Sequence, residues 1–202
     1  MGRTFLEAVA ARRSYYSLGD SAVVDDNRVV ELVDNILATM PSPFNVQSAR
    51  IVMLFGDEHL ALWDIVSNTL RAIVSEAKFG ATKRRIDEAF RSGRGTVLFY
   101  EDRVALEGLK QKFPTYADKV DMWSEQCSGM HQFALWVALE DMGYGASLQH
   151  YNPLIDERVA KHWNLPPTWQ LIAQMPFGTY EDELSPRVQT STPKSRMKIF
   201  GR

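Results

Sequence analysis

The sequence predicts an α+β fold, with helices and strands alternating in one layered domain. Three observations carry that expectation. Val29, Val30, Leu32, Val33, Ile36, Leu37 and Met40 fall on one stripe at helical spacing. The runs IVMLF at 51–55 and GTVLFYED at 95–102 are apolar, rich in β-formers and bounded by turn residues. Finally, 45% of the 202 residues are apolar and 11% aromatic, enough for one sizeable core in a chain too short for two comfortable domains. Residues 1–202 are therefore read as a single domain.

Taken in order, Thr4 and Glu7 have capping-box spacing, so a first helix starts at Phe5 and runs to about Arg13. The striped helix follows, with Asp26 as its N-cap and Pro41 as its stop. After the loop PSPFNVQS comes the strand Ile51–Phe55. Asp57 then caps a helix to about Lys78, and a break at Gly80 separates a basic helix, Lys83–Arg91. A second strand covers GTVLFYED, a short helix Arg103–Lys112, and a long helix Tyr116–Met142. The long helix is apolar over more than one stripe, which demands burial on several sides, part of it at a subunit interface. Gly143 and Gly145 end it. ASLQHY reads as a third strand, Glu157–Trp163 as a helix and WQLIAQMPFG as a fourth strand. Residues 179–202 lack apolar periodicity and form an extended tail, too polar to fold alone.

Composition excludes several classes. The net charge of −2 lacks the basic excess of a nonspecific nucleic-acid binder. No apolar run approaches the ~18–20 residues of a membrane span, and the first residues do not read as a signal peptide. A single cysteine, Cys127, cannot form an internal disulfide, which suits a reducing, cytoplasmic setting. His59, His131, His150 and His162 have no zinc-ligand spacing, so no metal is expected. Walker, GxSxG and GxGxxG patterns are missing too.

What remains is separated basic clusters, ARRSYY after the first helix and PKSR near the C-terminus, and the loop PSPFNVQS. Each has an ordinary explanation: arginines at a helix C-terminus favour the macrodipole, and Ser, Asn and Pro are common turn residues. Taken in order, however, RRS, PSxxNxQ and KxR resemble the FMN-dependent nitroreductase family. GYGASLQHYNP and GTVLFYED look like its short branch, which holds bacterial nitroreductases and fungal proteins linked to fatty-acid-dependent regulation. The resemblance covers about Phe5 to Ile199.

The resemblance implies a central, mainly antiparallel sheet flanked by helices, with the C-terminal tail docking on a partner subunit. It implies a homodimer with FMN at the interface, NADH or NADPH as donor, and nitroaromatics or quinones reduced by ping-pong hydride transfer. An alternative is a regulatory or redox-sensing flavoprotein with slow turnover. A third class is a binding domain without flavin. By resemblance, Arg12, Arg13, Ser14 and Tyr16 from the first helix and Lys194 and Arg196 from the tail hold the FMN phosphate region. Ser42, Pro43 and Asn45 reach the flavin of the other subunit, and Gln47 fixes their loop. Gln149 and His150 present main chain to the flavin N5 region. Phe44, Trp123 and Tyr151 are candidate pocket walls, although aromatics of this kind usually belong to the core. No catalytic side chain is assigned, because the flavin carries the chemistry. The chain departs from the family pattern at Tyr16, where relatives often have a base, at Ser48–Ala49, where many have Pro-Trp, and at His150, where larger relatives often have glycine.

Overall fold

The computed structural model describes residues 3–180 and 185–201. Its sheet has four strands: β1 Ala49–Phe55, β2 Gly95–Asp102, β3 Gly145–Ala146 and β4 Trp169–Gly178, in the spatial order β1-β2-β4-β3. All three pairings are antiparallel. The helices are α1 Phe5–Ala11, α2 Asp26–Thr39, α3 Gly56–Arg71, α4 Glu76–Ile86, α5 Arg103–Lys112, α6 Ala117–Met142 and α7 Asp156–His162.

Strand β2 is buried along nearly all its length, which explains its unbroken apolar run. Successive side chains alternate between faces. Val97 and Phe99 therefore pack with Val29, Val33 and Ile36 of α2 and Leu135 and Leu139 of α6. Leu98 and Tyr100 face the other way, onto Leu62, Trp63 and Val66 of α3 and Val159 of α7. A register shift between Phe99 and Tyr100 moves their β4 partners from Ala173 to Leu171. That bulge puts Ala173 in the first layer and Leu171 in the second.

Several boundaries differ from the sequence expectation. Helix α1 stops at Ala11, because Arg12 has left helical geometry (ψ 125°). The cap of α2 is Asp25, whose carboxylate accepts from the Asn27 N–H at 2.8 Å. Asp26 is released to pair with both donor arms of Arg94, at 3.0 and 2.6 Å. Asp57 does not cap α3, whose start has Phe55 at the cap position and no side-chain bond. The break after α3 falls at 72–75, not at Gly80, which lies inside α4 with open space where a Cβ would be. A glycine there costs about 1 kcal/mol, which neighbouring contacts tolerate. Past Ile86 the helix widens into a π-turn, Asp87–Arg91, that buries Phe90 and sends Arg91 to Asp64 at 2.9 Å. The third strand shrinks to Gly145–Ala146 plus a bridge between Gln149 and Gln174.

Residues 185–201 are exposed and carry one 3₁₀ turn, Pro193–Arg196. The rest of the expected tail, 181–184 and 202, lies outside the described residues.

Candidate functional site

The first cluster forms where α1 ends. The Arg12 guanidinium lies 4.3 Å from the Trp136 ring centre, on α6. The segment after it joins the sheet: Ser14 bridges Ala146, and the Tyr15 N–H donates to the Ala146 carbonyl at 3.1 Å. The Trp136 Nε1–H donates to the Arg13 and Ala146 carbonyls, both at 3.2 Å, locking the segment to the helix. Gly145 makes this crossing possible, since a Cβ there would stand 2.8 Å from the Tyr15 ring.

The tail contributes a cation that the sequence reading missed. Arg187 donates to the Ala10 carbonyl at 2.7 Å and to the Arg12 carbonyl. Arg13 donates back to the Ser185 carbonyl at 2.7 Å. Three guanidinium groups thus gather at the open end of α1, where free carbonyls attract positive charge. Burial first, then Arg187, depresses the pKa of Arg12, with Glu140 opposing. Arg12 Nη1 is buried and has no partner among the described residues. A buried cationic donor left idle fits a missing oxyanion. Lys194 and Arg196 sit on their exposed 3₁₀ turn and make no described hydrogen bond or ion pair with this cluster.

Two residues beyond Ser14, Tyr16 turns towards α4. It lines a cavity of about 420 Å³ with Ala81, Arg84, Arg85, Glu88 and Ala89. The Arg85 guanidinium is 5.9 Å from its ring. Positive charge beside Tyr16 comes from Arg84 and Arg85 of α4. Lys83–Arg85 was the signal for this in the sequence, but nothing there showed which loop the run would face.

Among the described residues, positive φ at non-glycine positions concentrates in the loop after α2. Phe44, Asn45 and Gln47 all have positive φ, at 50°, 56° and 49°. An aromatic residue in this region is an outlier, and such strain gathers at functional sites. Ser42 holds the loop by accepting from the Gln47 N–H at 2.9 Å, and Arg50 donates to the Gln47 carbonyl at 2.8 Å. Gln47 thus braces the loop through its main chain. Phe44 stacks on Phe113 at 4.3 Å, with Trp123 at 6.2 Å. Pro41, Ser42, Pro43, Phe44, Trp123 and Met130 help line an apolar groove of about 370 Å³.

Gln149 exchanges both main-chain bonds with Gln174, at 2.7 and 2.9 Å. The next residue, His150, is exposed, and its main-chain N–H has no partner among the described residues. The Gln174 side chain accepts from the Tyr151 N–H at 2.8 Å. Tyr151 itself packs edge-on against Trp63 and Phe90, so its ring belongs to the core.

These groups fall into two sets. Arg12 lies against Trp136 and Phe44 near Trp123, and those tryptophans are 13 positions apart on one helix. At 1.5 Å per residue the sets are roughly 20 Å apart along α6.

A layered α+β chain with an idle buried arginine at one end of a long helix and a strained, aromatic-faced loop at the other defines a class of small-ligand site. The nitroreductase family model matches residues 9–179, and the chain belongs to that family. The Lactococcus lactis nitroreductase CinD, solved with nicotinic acid, is 38% identical, with a TM-score of 0.89 over 97% of this chain and 99% of that one. The Saccharomyces cerevisiae protein HBN1 is 35% identical over 199 residues, 98% of this chain and 97% of its own length. Nitroreductase FRM2 from the same yeast is 33% identical over 178 residues, 86% of each. The oxidoreductase class follows from this membership, and so does the fold read from the sequence.

Proposed function

We propose that the chain is an FMN-dependent oxidoreductase that uses NADH or NADPH to reduce nitroaromatics or quinones. The observation that carries this is the idle Arg12 Nη1, buried amid Arg13 and Arg187. A phosphate dianion would use that donor, with Ser14 and the tail cations Lys194 and Arg196 as further candidates. Two solved structures in complex with or bound to FMN, from Desulfovibrio desulfuricans and Desulfitobacterium hafniense, share the fold at 18% and 13% identity, with TM-scores of 0.66 and 0.71. CinD has been solved with 4-nitrophenol, at 37% identity and a TM-score of 0.87, which points to the oxidant class.

The residues divide the work. Arg12, Arg13 and Ser14 would hold the phosphate, Tyr16 with Arg84 and Arg85 the ring's polar edge, and the His150 N–H a ring nitrogen. Bound there, FMN supplies hydride chemistry, taken from a nicotinamide and given to the oxidant in alternate half-cycles. The loop of Ser42, Pro43 and Asn45 packs roughly 20 Å along α6 from Arg12, a spacing that suits a homodimer in which each loop reaches the partner's flavin. Phe44 and Trp123 would then wall the slot. The exposed apolar residues Met197, Ile199 and Phe200 in the tail suit docking on that partner. One domain with an extended tail, in the cytoplasm, is the matching organisation; no described helix is long and apolar enough to cross a membrane.

The test is a visible spectrum of the protein mixed with FMN, before and after anaerobic NADH, followed by turnover of a nitroaromatic. Flavin uptake and bleaching are expected, and Arg12→Ala should weaken FMN at least tenfold, about the worth of one charge-assisted bond. Unchanged affinity in that variant refutes the role of Arg12. Rapid bleaching without steady turnover would favour the redox-sensing alternative.

A further inference from the structure

Behind the strained loop lies a closed polar cluster that the proposed chemistry has not used. Glu101, on β2, is buried at 1% exposure. Ser48 Oγ–H donates to its Oε2 at 2.6 Å, while Oε1 is buried with no partner among the described residues. His131, on α6, is also buried, and its Nδ1 lies 2.9 Å from the Cys127 carbonyl. A carbonyl only accepts, so Nδ1 carries hydrogen, and in the neutral ring Nε2 is left to accept. Glu101, His131 and Ser48 share the wall of a cavity of about 30 Å³ with Ser42 and Gln47. That is room for about one water. Ser42 and Cys127 also line the apolar groove, so the two spaces share one hydroxyl and one thiol in their walls.

We infer that Glu101, His131 and Ser48 form an internal proton store that feeds the redox site through a cavity water and the Ser42 hydroxyl. This rests on the proposed flavin chemistry. Two-electron reduction of a nitro group needs it: R–NO₂ + H⁻ + H⁺ gives R–NO + H₂O. The hydride comes from the reduced cofactor, one N–O bond breaks, and the proton completes the departing water. A quinone likewise takes one hydride and one proton. An apolar groove walled by Phe44, Trp123 and Met130 holds no acid of its own. Glu101 supplies the proton from Oε1, because Ser48 already occupies Oε2 as donor. The proton passes to the water or to His131 Nε2, then to the Ser42 Oγ as that hydroxyl releases its own hydrogen into the groove. Bulk water restores the store between turnovers.

The electrostatic surroundings agree. Burial raises the Glu101 pKa, against Ser48, Ser124, His131 and Arg50. Arg50, on β1, is held by Asp102 at 2.8 Å, which blunts its pull on Glu101. The Cys127 thiol is pushed up by burial and by Glu101. Helix α2 and its C-cap add only Leu37 and Met40 to the lining.

The test uses Glu101→Gln, which keeps the shape and removes the acid. In cofactor-free protein near neutral pH, an infrared difference spectrum against this variant should show a protonated carboxyl band belonging to Glu101. In FMN-loaded protein, anaerobic stopped-flow should show reoxidation by a nitroaromatic slowed roughly tenfold or more. The slowing should be confined to that half-reaction, with loss of its pH dependence and solvent isotope effect. A missing infrared band, or reoxidation as fast as in the parent with the same pH profile, overturns the store. A chain that takes up no FMN overturns the function on which it rests, a separate outcome. Should Glu101→Gln unfold, His131→Gln reads the same pH profile.

Discussion

The two ends of strand β2 each bury a polar group close to a histidine, and they are finished differently. Near its start, Thr96 Oγ1 accepts from the Trp63 Nε1–H at 3.0 Å and meets His59 Nδ1 at 2.9 Å. His59 Nε2–H donates to the Arg91 carbonyl at 3.1 Å, which leaves Nδ1 to accept from Thr96. Every polar atom there has a partner. At its far end Glu101 keeps one oxygen idle beside a cavity. A completed network ties α3 and the π-turn to the sheet and needs nothing more. An incomplete one stores unspent hydrogen-bonding capacity, and this one stands behind the loop expected to meet the flavin.

The strongest way to break the contrast is Thr96→Val, which strands both His59 Nδ1 and the Trp63 N–H in the core. A loss of about 3 kcal/mol in unfolding free energy is expected by urea titration. Acid does nearly as much. Burial holds the His59 pKa down at about 4, against about 6.5 when unfolded. The unfolded chain then binds the extra proton between those values, so stability should fall by about 3 kcal/mol as pH drops from about 6.5 to 4. Replacing His59 with Phe should flatten that fall.

Glu101 should respond with the opposite sign. Its folded pKa is raised, so the folded chain holds the extra proton and stability falls as pH rises through the carboxyl's shifted range. Glu101→Gln should cost about 1 kcal/mol or less in acid and gain on the parent as pH rises, read from paired urea curves. The smallest effect is expected at Gln47. Its side chain is exposed and its φ is 49°, so Gln47→Gly should stabilise or leave unchanged, by at most about 1 kcal/mol in thermal melts.

Where the sequence was legible, one local pattern decided the element. Strand β2, helix α5 and strand β4 begin and end where their apolar runs and flanking residues put them. Where it misled, two residues competed for one role. Asp25 took the cap that Asp26 could equally have filled, because Arg94 claimed Asp26 from 68 positions away. Gly80 looked like a break, yet it faces open space inside a helix. For the site, RRS and PSxxNxQ could be read as motifs, and the structure places Arg12 and Ser14 together. Arg187 and the Arg84–Arg85 pair were invisible as partners, since only the folded chain brings the tail and α4 to the residues after α1. Glu101 and His131, which line one cavity from a strand and a helix 30 positions apart, leave no local pattern at all.

The roughly 20 Å between Arg12 and Asn45 along one helix has a genetic corollary. If each pocket borrows its anchor from one chain and its loop from the other, two crippled alleles can rescue each other. Mixing Arg12→Ala chains with Asn45→Ala chains concentrates both lesions in one pocket of every hybrid and leaves the opposite pocket whole. Random pairing should then restore on the order of one quarter of wild-type turnover from two inactive preparations.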